Sequence, residues 1–209
     1  MRRIVAAGDR ALLIVFSDTM SPETLADILT FEAALRRVKP RGLLGTVPAY
    51  ASLLCTYDPG ITEGASLERQ LQALPVPPRR RLRRAVHEVP VRYNGPDLER
   101  VAQHARLSVA DVVSIHAGTE YLVYAIGFAP GFTYCGVLPE ILATPRLPSP
   151  RTRVAPGSVG IAERQTGMYA VASPGGWNIV GRTDAVLFDP RRRPPARFQP
   201  GDRLRFVPA

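Results

Sequence analysis

The sequence predicts an α+β protein with two parts, a ferredoxin-like α/β sandwich at the N-terminal end and a small closed β-barrel after it. Three observations predict this division. Helix and strand patterns alternate over residues 1–85, a run rich in Pro and Arg ends that part, and residues 159–207 carry almost only short strand patterns separated by turns. A chain of 209 residues is long enough for two small domains.

The N-terminal part begins with strand patterns at residues 4–7 and 11–16, followed by a helix that ends near residue 38. Ser21 and Pro22 are typical of a helix start, because Ser caps free N–H groups and Pro has no N–H to leave unpaired. The remaining patterns are strand, strand, helix and strand, at residues 42–47, 51–57, 63–74 and 86–93. This order is the split βαβ pattern of a ferredoxin-like sandwich.

We expect residues 1–85 to form a packing or docking domain. This part has no phosphate-binding loop, and its single cysteine, Cys55, lies in a predicted strand. A linker rich in Arg, which follows Pro77 and Pro78, ends it. Residues 86–209 then form the second domain, which we expect to carry the functional site.

The second part opens with two short helices and continues as strands. Asp97 is expected to cap a helix that runs through residue 106, and Ser108 with Asp111 forms the capping box of another that reaches His116. Short strands separated by turns at residues 165–167, 173–176 and 199–202 are expected at 159–161, 168–172, 177–181, 185–188 and 204–207. Several short strands at such spacing favour a small closed barrel.

The charge and the apolar runs exclude several classes of protein. The net charge is +9, but the arginines cluster in connectors and do not alternate with aromatic residues, so we do not expect nucleic-acid binding. No apolar run approaches the length of a membrane span and the N-terminus lacks the pattern of a signal peptide, so no membrane partner and a cytoplasmic location are expected. The two cysteines and three histidines lack ligand spacing, so no metal site is expected.

Residues 121–183 are dense in Gly, Pro and aromatic residues. Gly and Pro at this frequency are typical of loops that are held rigid, and loops on a rigid scaffold are where binding and chemistry usually occur. The motifs there are GFAPGFTYCGVLPEILATPR, RTRVAPGSVGIAERQTG and SPGGWNIVGRT, and FDPRRRPP and PGDRLRFVP follow them. In this order the motifs resemble the KipI/PxpB family, the B subunit of the bacterial three-component 5-oxoprolinase, also called allophanate hydrolase subunit 1.

The resemblance implies a fold, an activity and partners. It implies an N-terminal α/β domain and a C-terminal cyclophilin-like β-barrel. It also implies a hetero-oligomer with a KipA-like C subunit and an A subunit, which together convert 5-oxoproline to L-glutamate at the expense of ATP. Because the sequence has no Walker-type loop, ATP is expected to bind elsewhere in the complex, as a co-substrate. The alternatives are a KipI-type inhibitor of a sensor histidine kinase and a component of a urea- or allophanate-metabolising enzyme.

The candidate catalytic residues are His116, Glu120 and Arg153. The end of a helix and the start of the next strand could bring His116 and Glu120 together, and a carboxylate beside the imidazole would raise the histidine pKa. Alternatively, His116 only interacts with the helix dipole. Arg151 and Arg153 could hold a carboxylate or phosphate, or could form a structural salt bridge.

The aromatic residues around the Pro130-Gly131 turn could wall a slot for a flat five-membered ring, or could equally form an interface with the KipA-like C subunit. Strand alternation is expected to place Trp177 and Asn178 on opposite faces. Gln165 and Thr166 could present polar groups to a cleft, although the Gln165-Thr166-Gly167 sequence also reads as a turn. The candidate substrate-binding residues are Phe128, Pro130, Gly131, Phe132, Tyr134, Gln165, Thr166, Tyr169, Trp177 and Asn178.

Overall fold

The structure, a computed structural model, describes residues 2–75, 78–79 and 86–209. The chain divides into two units, Met1–Arg83 and Arg84–Ala209. Most of the predicted Arg-rich linker lies outside the described residues. In the described part, no helix is both long enough and apolar enough to cross a membrane.

In its described residues, the first unit is an antiparallel sheet with two α-helices. Strand β2 pairs with β1 on one side and with β4 on the other, and β4 pairs with β3. The elements in chain order are β1 (Arg3–Ala6), β2 (Ala11–Val15), α1 (Pro22–Val38), β3 (Leu43–Ala49), β4 (Ser52–Tyr57) and α2 (Gly64–Ala73).

Helix α1 begins and ends where the sequence predicts. The Ser21 side chain accepts a hydrogen bond from the backbone N–H of Thr24, and Pro22 occupies the first turn. Lys39 ends the helix in the left-handed conformation, with φ at 48°. The apolar face of α1, which includes Ile28 and Leu35, packs into a core with residues of β2, β4 and α2.

The predicted ferredoxin-like order is wrong at its last strand. Strand β5 (Val86–Val91) does not pair with β2 but runs parallel to β13 (Arg203–Pro208) in the second unit. The edge of β2 that a ferredoxin-like fold gives to its last strand is already occupied by β1, in the register Arg3 to Val15. Because a strand edge accepts one neighbour, β5 must find another partner.

The second unit contains two further α-helices and most of the strands found in the described part of the chain. Its remaining elements are α3 (Leu98–Ala105), α4 (Val109–Gly118), β6 (Glu120–Ile126), β7 (Thr133–Gly136), a 3-10 turn (Glu140–Leu142), β8 (Arg151–Val154), β9 (Ser158–Ala162), β10 (Gln165–Met168), β11 (Ser173–Gly175) and β12 (Asn178–Arg182). Its strand path is β5-β13-β6-β7-β10-β9-β12, antiparallel except for the pair β5 and β13, while β8 and β11 form a separate pair.

The predicted closed barrel is not confirmed, because no continuous strand ladder joins β12 to β5 among the described residues. A single bridge connects Arg92, just after β5, with Arg182. Beyond it the chain leaves the sheet, and the Gly95 N–H donates to the carbonyl of Val180 at 3.1 Å. A Cβ on Gly95 would lie 2.2 Å from the Ile179 oxygen, so only glycine allows this close approach.

Four predicted local elements differ from the structure. Residues 169–172, predicted as part of a strand, are irregular, and residues 173–175, predicted as part of a turn, form β11. Gln165-Thr166-Gly167 is not a turn but part of β10, and the turn lies before it, where Glu163 has a φ of 50°. Residues 185–188 do not form a regular strand, since Phe188 contributes an isolated bridge to Ala196. The error at Gln165-Thr166-Gly167 occurs because a polar run next to glycine looks the same in a turn as in a buried strand.

Candidate functional site

An aromatic turn connects β6 to β7. It is closed by hydrogen bonds from the Gly127 N–H to the Phe132 carbonyl at 3.1 Å and from the Phe132 N–H to the Ala129 carbonyl at 3.0 Å. Gly131 has a φ of 75°, and a Cβ there would lie 2.7 Å from that of Phe188. Phe128 adopts a φ of 67°, which is uncommon for a bulky residue. The turn thereby leaves the Phe128 side chain 67% exposed.

Phe132 is the centre of a cluster of rings. Its ring centroid lies 4.5 Å from that of Tyr134, 4.8 Å from Tyr169, 5.4 Å from Trp177 and 5.8 Å from Phe128. Most of these pairs are edge-to-face, an arrangement that ring quadrupoles favour. Phe132 itself is 2% exposed, whereas Phe128 lies over it in solvent. The cluster therefore has a fixed base and an open side.

The open side of this cluster is a pocket of about 240 Å³, which we call the aromatic pocket. Five of the ten predicted substrate-binding residues line it: Phe128, Phe132, Tyr134, Tyr169 and Trp177. The volume is just below the range of ~300–1,000 Å³ typical of ligand pockets. The pocket is thus of a size for one small ring rather than for a nucleotide.

Sequence reasoning missed the opposite wall, which consists of Arg146, Pro150, Pro174, Gly175 and Gly176. The Gly175-Gly176 pair was visible as a turn, and its function is steric: a Cβ on Gly175 would lie 2.2 Å from the Tyr169 hydroxyl oxygen. Nothing in the local pattern indicates that Arg146 returns to the pocket, because irregular chain separates it from the other lining residues.

Hydrogen bonds of the buried Asp97 side chain connect β8 and β12 next to the pocket. Buried Asp97 accepts from Arg151 Nη2 at 2.7 Å and from the backbone N–H of Ile179 at 2.7 Å. Arg151 therefore forms the structural salt bridge that was the alternative to its anion-binding role. Its Nη1 atom and the Ser173 hydroxyl are buried with no hydrogen-bond partner in the described part of the chain.

The predicted pair of His116 and Glu120 is not formed. His116 is fully buried: its Nδ1 lies 2.8 Å from the Tyr93 hydroxyl and its Nε2 lies 2.9 Å from Thr166 Oγ1. Burial lowers the pKa of His116 to about 3, the opposite of the expected rise. Glu120 is exposed at the start of β6 and pairs with Arg203 at 2.8 Å.

The hydrogen bonds around His116 fix its tautomer. Thr166 donates its single hydroxyl proton to the Gly160 carbonyl at 3.1 Å, so Thr166 Oγ1 must accept from Nε2–H. Nδ1 of the neutral ring then accepts from the Tyr93 hydroxyl. The ring also stacks on Phe206, with the centroids 4.7 Å apart. We call Tyr93, His116, Thr166 and the Gly160 carbonyl the His116 network.

The other predicted site residues lie outside the lining of the aromatic pocket. Asn178 is buried, accepts from Arg100 at 3.0 Å and donates to the carbonyls of Pro145 and Ile161. Arg153 is exposed on β8. Pro130 and Gly131 shape the aromatic turn, Thr166 belongs to the His116 network, and Gln165 lies in β10. The functional roles predicted for these residues stay predictions.

The pocket can bind and orient a ligand, but its lining includes no carboxylate or imidazole among the described residues. Burial raises the pKa of both Tyr134 and Tyr169, so their hydroxyl groups are neutral at physiological pH. Burial also raises the pKa of the Cys135 thiol, so this cysteine is not an activated nucleophile. In the part of the chain that the structure describes, no group of three His, Cys, Asp or Glu side chains is placed to hold a metal ion.

Residues 2–198 match the family described as carboxyltransferase domain, subdomain C and D. The chain is 34% identical to the B subunit of 5-oxoprolinase from Bacillus subtilis (strain 168) over 220 residues, which cover 98% of this chain and 92% of the relative. It is 52% identical to the B subunit of 5-oxoprolinase from Escherichia coli O157:H7 over 124 residues, 58% of this chain and 57% of the relative.

A solved structure has the same fold. The crystal structure of TTHA0988 superposes with a TM-score of 0.85 at 41% sequence identity, and the match covers 96% of this chain. This chain spans 40% of the length of that longer one. The chain belongs to the carboxyltransferase domain, subdomain C and D, family, and its resemblance to the B subunit of 5-oxoprolinase is confirmed.

Proposed function

We propose that this chain is the B subunit of an ATP-dependent 5-oxoprolinase, which converts 5-oxoproline to L-glutamate. The observation that carries the proposal is the identity of 34% to the corresponding Bacillus subtilis subunit over 98% of this chain. The aromatic pocket supports it independently. A flat lactam ring of five members suits a pocket of about 240 Å³ with Phe132, Tyr134 and Trp177 in its walls.

The same pocket also supports a requirement for partner subunits. Opening a lactam needs a polarised carbonyl, proton transfer and, with ATP, a place for the phosphates. The lining offers two neutral phenols and one guanidinium, and the sequence has no phosphate-binding loop. We therefore propose that a KipA-like C subunit and an A subunit complete the site, and that ATP binds outside this chain as a co-substrate.

We propose a division of tasks between the two units. The pocket consists entirely of residues from the second unit, which supports a packing or docking role for the first. For the second unit we propose an incompletely closed form of the cyclophilin-like barrel, which the single bridge between Arg92 and Arg182 supports. Arg153 is exposed and stays a candidate contact for a partner or an anion.

The proposal is tested by purifying the chain alone and together with candidate A and C subunits. We expect ADP and glutamate to form when the three-subunit complex receives 5-oxoproline and ATP, and no turnover by the chain alone. A complex that is assembled but hydrolyses ATP only with urea or allophanate would overturn the proposal. The proposal would also be overturned if the chain binds neither candidate subunit and instead binds and inhibits a sensor histidine kinase.

A further inference from the structure

Arg146 is the one charged side chain that lines the aromatic pocket in the described part of the chain. It lies in the irregular segment before β8 and is exposed. In the described residues it forms no ion pair and no hydrogen bond through its guanidinium. Several other arginines of the second unit are paired with a carboxylate, as Arg92 is with Asp184 at 2.8 Å. Arg146 is thus an uncompensated cation at the edge of an aromatic cavity.

The field of this cation reaches into the pocket. Arg146 partly offsets the rise in pKa that burial causes at the hydroxyl groups of Tyr134 and Tyr169, and Arg151 acts on Tyr169 in the same direction. Arg151 Nη2 donates a hydrogen bond to Asp97, while Arg151 Nη1 has no hydrogen-bond partner among the described residues. A negative group in the pocket would therefore be stabilised chiefly by Arg146, since Asp97 balances the charge of Arg151, and no acidic residue of the described lining opposes it.

From this arrangement we infer that Arg146 binds the carboxylate of a small cyclic amide acid while the rings of Phe132 and Trp177 hold its apolar face. The inference rests on the proposed function, in which that acid is 5-oxoproline. A guanidinium can engage both oxygens of a carboxylate at once, which fixes the ring in one orientation. The lactam carbonyl, which lies across the ring nitrogen from the carbon that carries the carboxylate, is then presented to groups from the partner subunits.

The test uses the assembled three-subunit complex and compares Arg146→Gln with Arg146→Lys. Arg164→Gln is the matched control, because Arg164 is an exposed arginine of the same unit that does not line the pocket. KM and kcat are measured for 5-oxoproline. The inhibition constant is measured for 2-pyrrolidone, which has the lactam ring without the carboxylate. Because Arg146 is exposed, thermal unfolding of each variant is expected to match that of the wild type.

For Arg146→Gln we expect KM for 5-oxoproline to rise roughly 10- to 100-fold, the usual range for loss of a hydrogen bond between charged groups. The inhibition constant of 2-pyrrolidone should stay within about twofold of the wild-type value, since ring contacts are intact. Arg146→Lys should recover part of the loss, because it keeps the charge but not the planar fork. Arg164→Gln should leave both constants unchanged.

Two results would overturn the inference while leaving the proposed function intact. An unchanged KM in Arg146→Gln would show that another group binds the carboxylate. An equal loss of affinity for 5-oxoproline and 2-pyrrolidone would show that Arg146 only shapes the cavity. If the wild-type complex itself fails to turn over 5-oxoproline, the proposed function falls and the inference falls with it.

Discussion

The aromatic pocket and the His116 network both contain tyrosine and contacts between rings, but they have opposite properties. In the His116 network the hydroxyls of Tyr93 and Thr166 and both nitrogens of His116 have partners, and His116 is fully buried. In the aromatic pocket, Phe128 is 67% exposed and Arg146 has no counter-charge among the described residues. A buried polar group whose hydrogen bonds are all made within the protein supports the fold. An exposed charged group without a counter-charge is available to bind a ligand.

The largest effect is expected from His116→Ala. The substitution removes a fully buried ring stacked on Phe206 and leaves the hydroxyl of Tyr93 and that of Thr166 without their partner. We expect the free energy of unfolding to fall by about 3–5 kcal/mol, measured by denaturant titration. His104→Ala, at an exposed position of α3, is the control and should change it little. A stable but inactive His116→Ala protein would return His116 to the catalytic candidates.

The second effect is a loss of stability in acid that depends on His116. Its folded pKa of about 3 is below the ordinary 6.5, so the unfolded chain binds a proton that the folded chain does not between these values. Stability should therefore fall as pH drops from 6.5 towards 3, by about 2 kcal/mol from this group at pH 5. Denaturant titrations at pH 7 and pH 5 measure it. His116→Gln should lose this component of the slope, and an identical slope in both proteins would contradict the assignment.

A third, smaller effect on stability is expected from Gly175→Ala, with a large effect on the pocket. The new Cβ would lie 2.2 Å from the Tyr169 hydroxyl oxygen, so the Tyr169 ring must move. We expect a loss of about 1–2 kcal/mol in unfolding free energy and a rise in KM of the complex for 5-oxoproline. Gly118→Ala is the matched control, because nothing lies within 4 Å of its Cβ position among the described residues. If the kinetic constants of Gly175→Ala are unchanged, the aromatic pocket does not bind the substrate.

The smallest effect on stability is expected from Phe128→Gly. Phe128 is exposed and has a φ of 67°, a conformation that glycine adopts without a steric cost. The free energy of unfolding should change by less than about 1 kcal/mol, while turnover by the complex should fall because the pocket loses one wall. Phe132→Ala, in the buried centre of the same turn, should instead destabilise the chain by about 3–5 kcal/mol. Equal losses of unfolding free energy in the two variants would contradict the assignment of Phe128 to the pocket and of Phe132 to the buried core.

Sequence reasoning found one wall of the pocket and missed the other for a physical reason. Phe128, Phe132 and Tyr134 are close in sequence, so a single turn motif brings them together. Arg146 and Gly175 reach the same cavity through irregular chain and through the β8–β11 pair, whose contacts no local pattern records. The error at His116 is of another kind, because spacing along the chain placed Glu120 nearby but could not say that the two side chains point to different environments.

By itself the sequence determined the elements that depend on local chemistry: the start of α1 at Ser21, the capping box of Ser108 and Asp111, and the aromatic turn around Gly131. Its ordered motifs also determined the family. Tertiary structure alone decided that β1 takes the strand edge expected for β5, that His116 is neutral and enclosed, and that Arg146 faces the rings. These outcomes depend on which distant groups meet and how much water they exclude, and neither is encoded in the spacing of neighbouring residues.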